Sequence, residues 1–393
     1  MARTELYTHL RIWDGVGAAY RDDVDALRVE DGRIAWIGRT EDARGGADAR
    51  DMTGLTALPG LIDAHVHMVL DPDVRDPLAQ TAPDVATRVV AMERRAAEMV
   101  RAGITTARDL GGGEWLELAL RDRIARGEVV GPRLVCAGQP VTSPGGHCHF
   151  WGGIAPDVDA AAAVIARQHE RGVDLIKVMA TGGTMTKGTT PRDAQFDSET
   201  LAAIVGLARQ RGYRVAAHCH GTAGIRFAAS AGVDTIEHCS WVGDGGWGSD
   251  YDPAVARELA ARRIWVSPTV NLGWQRHQGS GSDHEKRLLA NFAAMRAAGV
   301  RLAASTDAGI PNVRHADLAK TLPVFAHIAG FTNAEVLESA TADAAEAIGL
   351  GRTTGRIAAG FSADVVFIDG DPLADLGCLV APAQVLARGI AVV

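Results

Sequence analysis

Two histidines one residue apart, in an apolar run that follows a Pro-Gly break, constrain this chain more than any other feature. The run is Leu58-Pro59-Gly60-Leu61-Ile62-Asp63-Ala64-His65-Val66-His67. Side chains alternate between the faces of a β-strand, so His65 and His67 point the same way, and Asp63 shares their face. Two imidazoles on one face of a buried strand can bind one divalent cation. Three polar side chains on a packed face are costly to desolvate unless something compensates them, and a metal would. For an HxH taken alone, two core histidines satisfied by hydrogen bonds are the competing explanation.

From residue 58 onward, apolar strands alternate with amphipathic helical stretches, the pattern of a parallel α/β fold. Strands read near 61–67, 105–110, 133–138, 175–180, 214–219, 235–239, 264–269 and 301–306. Helices read at 84–102, 159–171, 198–211, 223–231, 253–262 and 284–298, followed by 315–329 and 333–348. Gly103, Gly172, Gly212, Gly232 and Gly299 fall where helices should end, just before the next strand. Eight strands with helices between them fit a closed (β/α)8 TIM barrel better than an open sheet, with the active site at the C-terminal ends of the strands. The segment before residue 58 differs. It reads as short strands and turns, with a hairpin signal at Glu30-Asp31-Gly32. The segment after residue 351 returns to that texture. The expected organisation is a barrel over 58–351 and a small composite β-sandwich built from 1–57 plus 352–393.

Composition narrows the partners. The net charge is −8 and acidic residues are spread along the chain. The absence of a basic tract or an RNA-binding aromatic motif argues against nucleic acid. No apolar run is long enough for a membrane span, and the N-terminus leads into no signal-peptide core. Five cysteines, an odd number without CxxC spacing, argue against a disulfide framework or a structural zinc knuckle. A reducing cytoplasm is the default expectation. The expected partner is a small-molecule substrate, and a homo-oligomer is left open.

Further polar residues fall at the ends of other strands. Lys177, one of four lysines, lies inside the apolar run Leu175-Ile176-Lys177-Val178-Met179. A buried lysine loses its proton or finds an anion. His218 and His220 share a face of the fifth strand, His238 lies on the sixth, and the eighth ends on Asp307. Cys219 and Cys239 then face the helices as core fillers. Each residue alone is a weak signal; the ordered series HxH, Lys, His, His, Asp is not.

That series resembles the amidohydrolase superfamily of metal-dependent hydrolases, across essentially the whole chain. The entry Leu58–His67 and the exit Gly355-Arg356-Ile357-Ala358-Ala359-Gly360-Phe361-Ser362-Ala363-Asp364 carry the likeness. Ile176–Gly183, Ala217–Gly221, Ile236–His238 and the loop Gly145–Gly153 resemble the prolidase-like and Xaa-Arg/Lys carboxypeptidase-like branch, with its imidazolonepropionase relatives. The resemblance implies two zinc ions. His65, His67 and Asp307 would hold one, His218 and His238 the other, and Lys177, carboxylated by CO2, would bridge them. An unmodified ammonium cannot bridge two cations, whereas a carbamate supplies two oxygens and a negative charge. A hydroxide shared by two metals is a nucleophile at neutral pH. Asp307 would act as the base and later return the proton to the leaving nitrogen.

His147, in the loop after the third strand, is the candidate for a second group that polarises the scissile carbonyl. His149 and Trp151 could line the pocket, His220 could touch substrate, and Lys187 and Arg192 could bind a carboxylate. Asp109 and Glu237 read as supporting residues. The first functional reading is a binuclear-zinc dipeptidase or N-acyl amino acid hydrolase. The second is a cyclic-amide hydrolase or deaminase, imidazolonepropionase-like, on the same scaffold. A third is an inactive, metal-free binding protein, against which the complete ligand series speaks.

Overall fold

The structure, a computed structural model, describes residues 4–43 and 48–392. Met1–Arg3 at the N-terminus and Val393 of the tail lie outside the described residues. Eight parallel strands dominate the described chain. Strands β1 (Leu61–Val66), β2 (Ile104–Asp109) and β3 (Arg133–Cys136) form one sheet. Strands β4 (Ile176–Met179), β5 (Val215–Gly221), β6 (Thr235–Val242), β7 (Trp265–Ser267) and β8 (Arg301–Leu302) form a second. Backbone hydrogen bonds also cross between the sheets. The Asp307 amide donates to the His65 carbonyl at 2.9 Å and the His67 amide to Ala308 at 2.8 Å. At the other side the Val141 amide donates to Lys177 and Met179 to Val141, both at 2.8 Å.

Helices fill the connections, and their sequences say why they start and stop. Asp84, Asp157, Asp197, Asp252 and Ser282 each accept a backbone N–H of the first helical turn that would otherwise be unpaired. The five glycines expected at helix ends all have positive φ, between 72° and 85°. Two expectations change. The helix Leu116–Ala125 lies between β2 and β3, where no helix was read, and the stretch 333–348 divides into Asn333–Ser339 and Ala342–Ala347. The break follows from Thr341, whose φ of −133° and ψ of −93° are not helical.

The second of these short helices caps the space between the strands. Ala344, Ala345, Ala347 and Ile348 pack against Ile62, Leu175, Ala216, Trp265 and Ala303. The N-terminal ends of the strands therefore enclose apolar side chains, and polar groups gather at the opposite ends.

The chain termini pair with each other. Strand Val365–Asp369 runs antiparallel to Leu55–Pro59, in a five-stranded sheet with 384–387, 390–392 and 11–12. A four-stranded sheet of 33–38, 26–30, 4–8 and 48–51 shares one apolar cluster with it, including Tyr7, Leu27, Ile34, Val365 and Phe367. The predicted hairpin is there, with Asp31 and Gly32 at φ 48° and 77°. Leu55–Pro59 leads straight into β1, so the paired termini set the position of the HxH strand. Gly60 makes that junction fit, because a Cβ there would sit 2.0 Å from the Thr105 hydroxyl oxygen. Asp364 ties the junction down: its carboxylate accepts from Arg133 at 2.9 Å and its carbonyl from the Gly60 amide at 2.9 Å. Among the described residues no helix is long and apolar enough to cross a membrane.

Burial raises the Asp343 carboxyl from 3.8 to about 7, helped by Glu338 and Glu346. A carboxyl with a raised folded-state value contributes its full stability below the unfolded value and loses it as pH rises through the folded value. Asp343→Asn is therefore expected to match the wild type near pH 4 and to exceed it above about pH 7. The gain should be on the order of 1–2 kcal/mol after allowance for solvent screening. Urea unfolding at the two pH values reads it.

Candidate functional site

The strand ends bring the separated residues together. His65 lies near the end of β1 and His67 just past it; Lys177 is on β4, His218 and His220 on β5, His238 on β6, and Asp307 follows β8. His65 and Lys177 are each 1% exposed. The Nε2 atoms of His65 and His67 are 3.3 Å apart, and they stand 3.3 and 3.4 Å from Asp307 Oδ1. Four donors around a tetrahedral zinc at about 2.0–2.1 Å are separated by about 3.3–3.4 Å, so this triangle has the edge lengths of a coordination site. A second group, His218, His220 and His238, has donor atoms within 4.8 Å of one another. His238 also falls within that distance of His65 and Asp307, which joins the two groups. The donor set fits divalent metal ions.

Outer hydrogen bonds aim these rings. His67 Nδ1 donates to the Gly111 carbonyl at 2.8 Å, leaving the Nε2 lone pair for a metal in the neutral ring. His65 Nδ1 donates to Glu237 Oε2 at 3.0 Å with the same result. Glu237 is in turn held by Arg108, whose Nη2 donates to Oε1 at 2.8 Å. Burial disfavours the Glu237 carboxylate, but Arg108 and His65 outweigh it and hold the group well below the usual carboxylate range. Burial pushes His65 down to about 4 and His147 down to about 4, so both rings are neutral at pH 7. Asp307 also stays ionised: His65 and His67 overcome the effect of burial.

Lys177 is the exception to this pairing. Its amine makes no hydrogen bond or ion pair among the described residues, and burial lowers it to about 8. The neutral form of an amine, which burial makes easier to reach here, is the form that reacts with CO2.

Asp63 does not join the donors. It accepts the Thr306 hydroxyl at 2.5 Å, the Thr306 amide at 3.1 Å and the His65 amide at 3.2 Å. Its compensation is the adjoining chain, and a metal is not needed for it. Asp109 holds the turn beneath His67, accepting the Met68 and Gly111 amides at 2.7 and 2.8 Å.

The loop residues divide. His147 is buried, its ring lies 4.6 Å from that of His218, and its Nδ1 has no partner. Gly183 makes room for it, since a Cβ there would sit 2.4 Å from the His147 ring. Trp151 lies 5.3 Å from the His67 ring. His220 stacks on His238 at 4.4 Å and bonds Ser240 at 2.9 Å. His149 turns back onto the Gly146 carbonyl at 2.9 Å. Lys187 is exposed, and Arg192 pairs with Asp244. Sequence reasoning overlooked Arg108, His315, which reaches the His67 carbonyl at 3.1 Å, and the membership of His220 in a donor group. Arg108 carried the same signal as Lys177, a cation inside a buried strand.

His238 and Asp307 have φ of 68° and 63°. Non-glycine residues seldom adopt this left-handed region, and such strain concentrates where a side chain must be aimed.

Parallel strands whose ends gather buried imidazoles, a carboxylate and a lysine make a site able to hold metal ions, and the family and relatives the chain matches make it a hydrolase acting on carbon–nitrogen bonds. The chain belongs to the amidohydrolase family, whose model matches residues 56–390. Ochratoxinase of Aspergillus niger is 29% identical over 364 residues, covering 84% of this chain and 73% of that protein. Imidazolonepropionase of Deinococcus deserti is 25% identical over 393 residues, covering 92% of this chain and 90% of that one. A crystal structure of a prolidase complexed with N-methylphosphonate-L-proline matches with a TM-score of 0.85 at 25% identity, covering 99% of each chain.

Glu237→Ala removes the acceptor that aims His65 and leaves Arg108 buried without its carboxylate. Metal affinity is expected to fall about 10–100-fold. Stability is expected to fall by about 3–5 kcal/mol, the cost of breaking a buried pair. Zinc titration against a competing chelator and thermal unfolding check the two effects separately.

Proposed function

We propose that the chain is a binuclear-zinc amidohydrolase that cleaves the amide C–N bond between an amino acid and its acyl or aminoacyl partner. The observation that carries this reading is the convergence of five buried or nearly buried donors, His65, His67, His218, His238 and Asp307, from β1, β5, β6 and the chain after β8, with buried Lys177 of β4 near enough to act electrostatically on His65, His218, His238 and Asp307. His65, His67 and Asp307 would hold one ion, His218 and His238 the other, and carboxylated Lys177 would bridge them. Its amine nitrogen would bond the carbon of CO2 and release a proton. The hydrogen bonds that cross both gaps between the sheets support a closed (β/α)8 barrel, with the paired termini as a composite β-sandwich beside it.

Bound divalent ions acidify a water and polarise a carbonyl oxygen. The chain's own groups supply the rest. Asp307, ionised and beside both histidines, would take the proton of the attacking water and pass it to the leaving nitrogen. His147, neutral and with a free Nδ1, would orient the substrate carbonyl. Trp151 and His220 would line the pocket, with His149 at its edge. Lys187, without an ion pair among the described residues, is the better candidate for the substrate carboxylate; Arg192 is engaged by Asp244. The similarity to imidazolonepropionase supports a second reading, a cyclic-amide hydrolase or deaminase on the same scaffold, for which one metal would be expected.

Metal analysis of the zinc-loaded protein separates the readings. Two ions per chain, falling in Lys177→Ala, are expected; one ion, unchanged in that variant, favours the second. Asp307→Asn is expected to lower kcat on the best dipeptide or N-acyl amino acid by about 10²–10⁴-fold with its melting temperature preserved. Retained turnover would remove Asp307 as the base. Hydrolysis of lactones only, with no amide cleaved, would remove the reading itself.

A further inference from the structure

At the opposite end of the parallel strands lies a cavity of about 390 Å³, away from the donor cluster. Its lining marks its place. Arg214 and Asp234 immediately precede β5 and β6, and Trp265 and Arg301 begin β7 and β8. Five arginines line it, Arg209, Arg214, Arg262, Arg263 and Arg301, against two acidic residues, Asp234 and Glu346. This concentration of positive charge sits on a chain whose net charge is −8.

Each of the five arginines has a carboxylate within 3.9 Å, but the carboxylates involved, Asp234, Glu258 and Glu346, are outnumbered by the guanidinium groups. Asp234 accepts the Val215 amide at 2.8 Å and stands 3.5 Å from Arg214 and 3.9 Å from Arg209. Glu346 bonds Arg301 at 2.7 Å and stands 3.9 Å from Arg263. Arg262 lies 2.9 Å from Glu258. Arg209 spends one donor on the Gly232 carbonyl, and neither it nor Arg263 is within hydrogen-bond distance of a lining carboxylate. Arg301 is fixed as a platform: it stacks 4.0 Å over Trp265, donates to the Arg263 carbonyl at 2.6 Å and keeps a buried Nε without a partner.

We propose that this cavity binds a small molecule bearing two or more phosphate groups. The planar guanidinium fork matches the spacing of phosphate oxygens and bonds them in pairs. Several such groups in one concavity focus the field on a multivalent anion. The volume falls in the range of small-ligand pockets, about 300–1,000 Å³. The proposal stands apart from the hydrolytic reading, since it uses none of the residues in the donor cluster.

Isothermal titration of the zinc-loaded full-length chain with inorganic tripolyphosphate at low ionic strength tests it. One saturable site per chain is expected, tighter than for orthophosphate or citrate. The double variant Arg209→Glu/Arg263→Glu, altered at two exposed side chains, should weaken it by at least about tenfold, the value of one charge-assisted hydrogen bond. Arg94→Glu, an exposed change on the helix Val85–Arg101, should leave it unchanged. Absence of saturable binding, equal weakening by Arg94→Glu, or citrate binding as tightly as tripolyphosphate would overturn the proposal. So would binding that persists in the double variant, as it would for an anion seated on the metal site.

Discussion

The buried line from Arg108 through Glu237 to His65 is the interaction on which the site depends. An isolated carboxylate or guanidinium in such surroundings costs several kcal/mol even after relaxation, and only a satisfied pair survives. Here each of the three guanidinium nitrogens is used. Arg108 Nε donates to the Ala64 carbonyl at 2.7 Å, Nη1 to Thr235 at 3.0 Å and Nη2 to Glu237 at 2.8 Å. Thr235 adds its own hydroxyl to Glu237 Oε1 at 2.5 Å. The far oxygen of Glu237 is left for His65. A cation from β2 and an anion from β6 thus brace a histidine on β1, and the brace presents the Nε2 lone pair towards Asp307.

That brace lies within a division of the whole structure. Below it, small and branched apolar side chains meet the helix Ala342–Ala347 and exclude water. Above it, polar residues crowd together, each imidazole of the donor groups held by one outer hydrogen bond. Burial favours the neutral imidazole at His65, His218, His220 and His238, whereas at His67 burial is outweighed by Asp307, which raises it. The paired chain ends matter too. They hold the strand leading into β1, and Asp364 fastens that strand to β3 through Arg133. Removing the terminal sheets would free the first residues of the strand that carries both histidines.

Much of the site was legible because charge in an apolar strand is anomalous. His65, His67, Lys177, His218, His238 and Asp307 could each be picked out that way and ordered along the chain. Arg108 obeyed the same rule but stood in Thr105-Thr106-Ala107-Arg108-Asp109, where polar neighbours imitate a solvent-facing strand edge. Asp63 is buried as its place on the strand face implies, but its compensation comes from hydrogen bonds to Thr306 and the His65 amide. Face-sharing along a strand does not reveal a hydrogen bond to a chain 243 residues away. The helix Leu116–Ala125 hid behind a weak apolar stripe with a buried Glu117, and the split in 333–348 depended on a single non-helical residue. Loop cations were the least legible, since Arg192 found its partner in Asp244 on another loop, and no periodicity reports loop paths.

The central claim of the proposed function is spatial: side chains distributed over the parallel strands would grip a pair of metal ions. Anomalous diffraction at the zinc absorption edge, from crystals of the zinc-loaded protein, addresses it directly. The account predicts two peaks, one inside the triangle of His65, His67 and Asp307 and one beside His218 and His238, with density joining the Lys177 nitrogen to both. A single peak, zinc bound elsewhere, or an unmodified Lys177 lying between two occupied positions would contradict it.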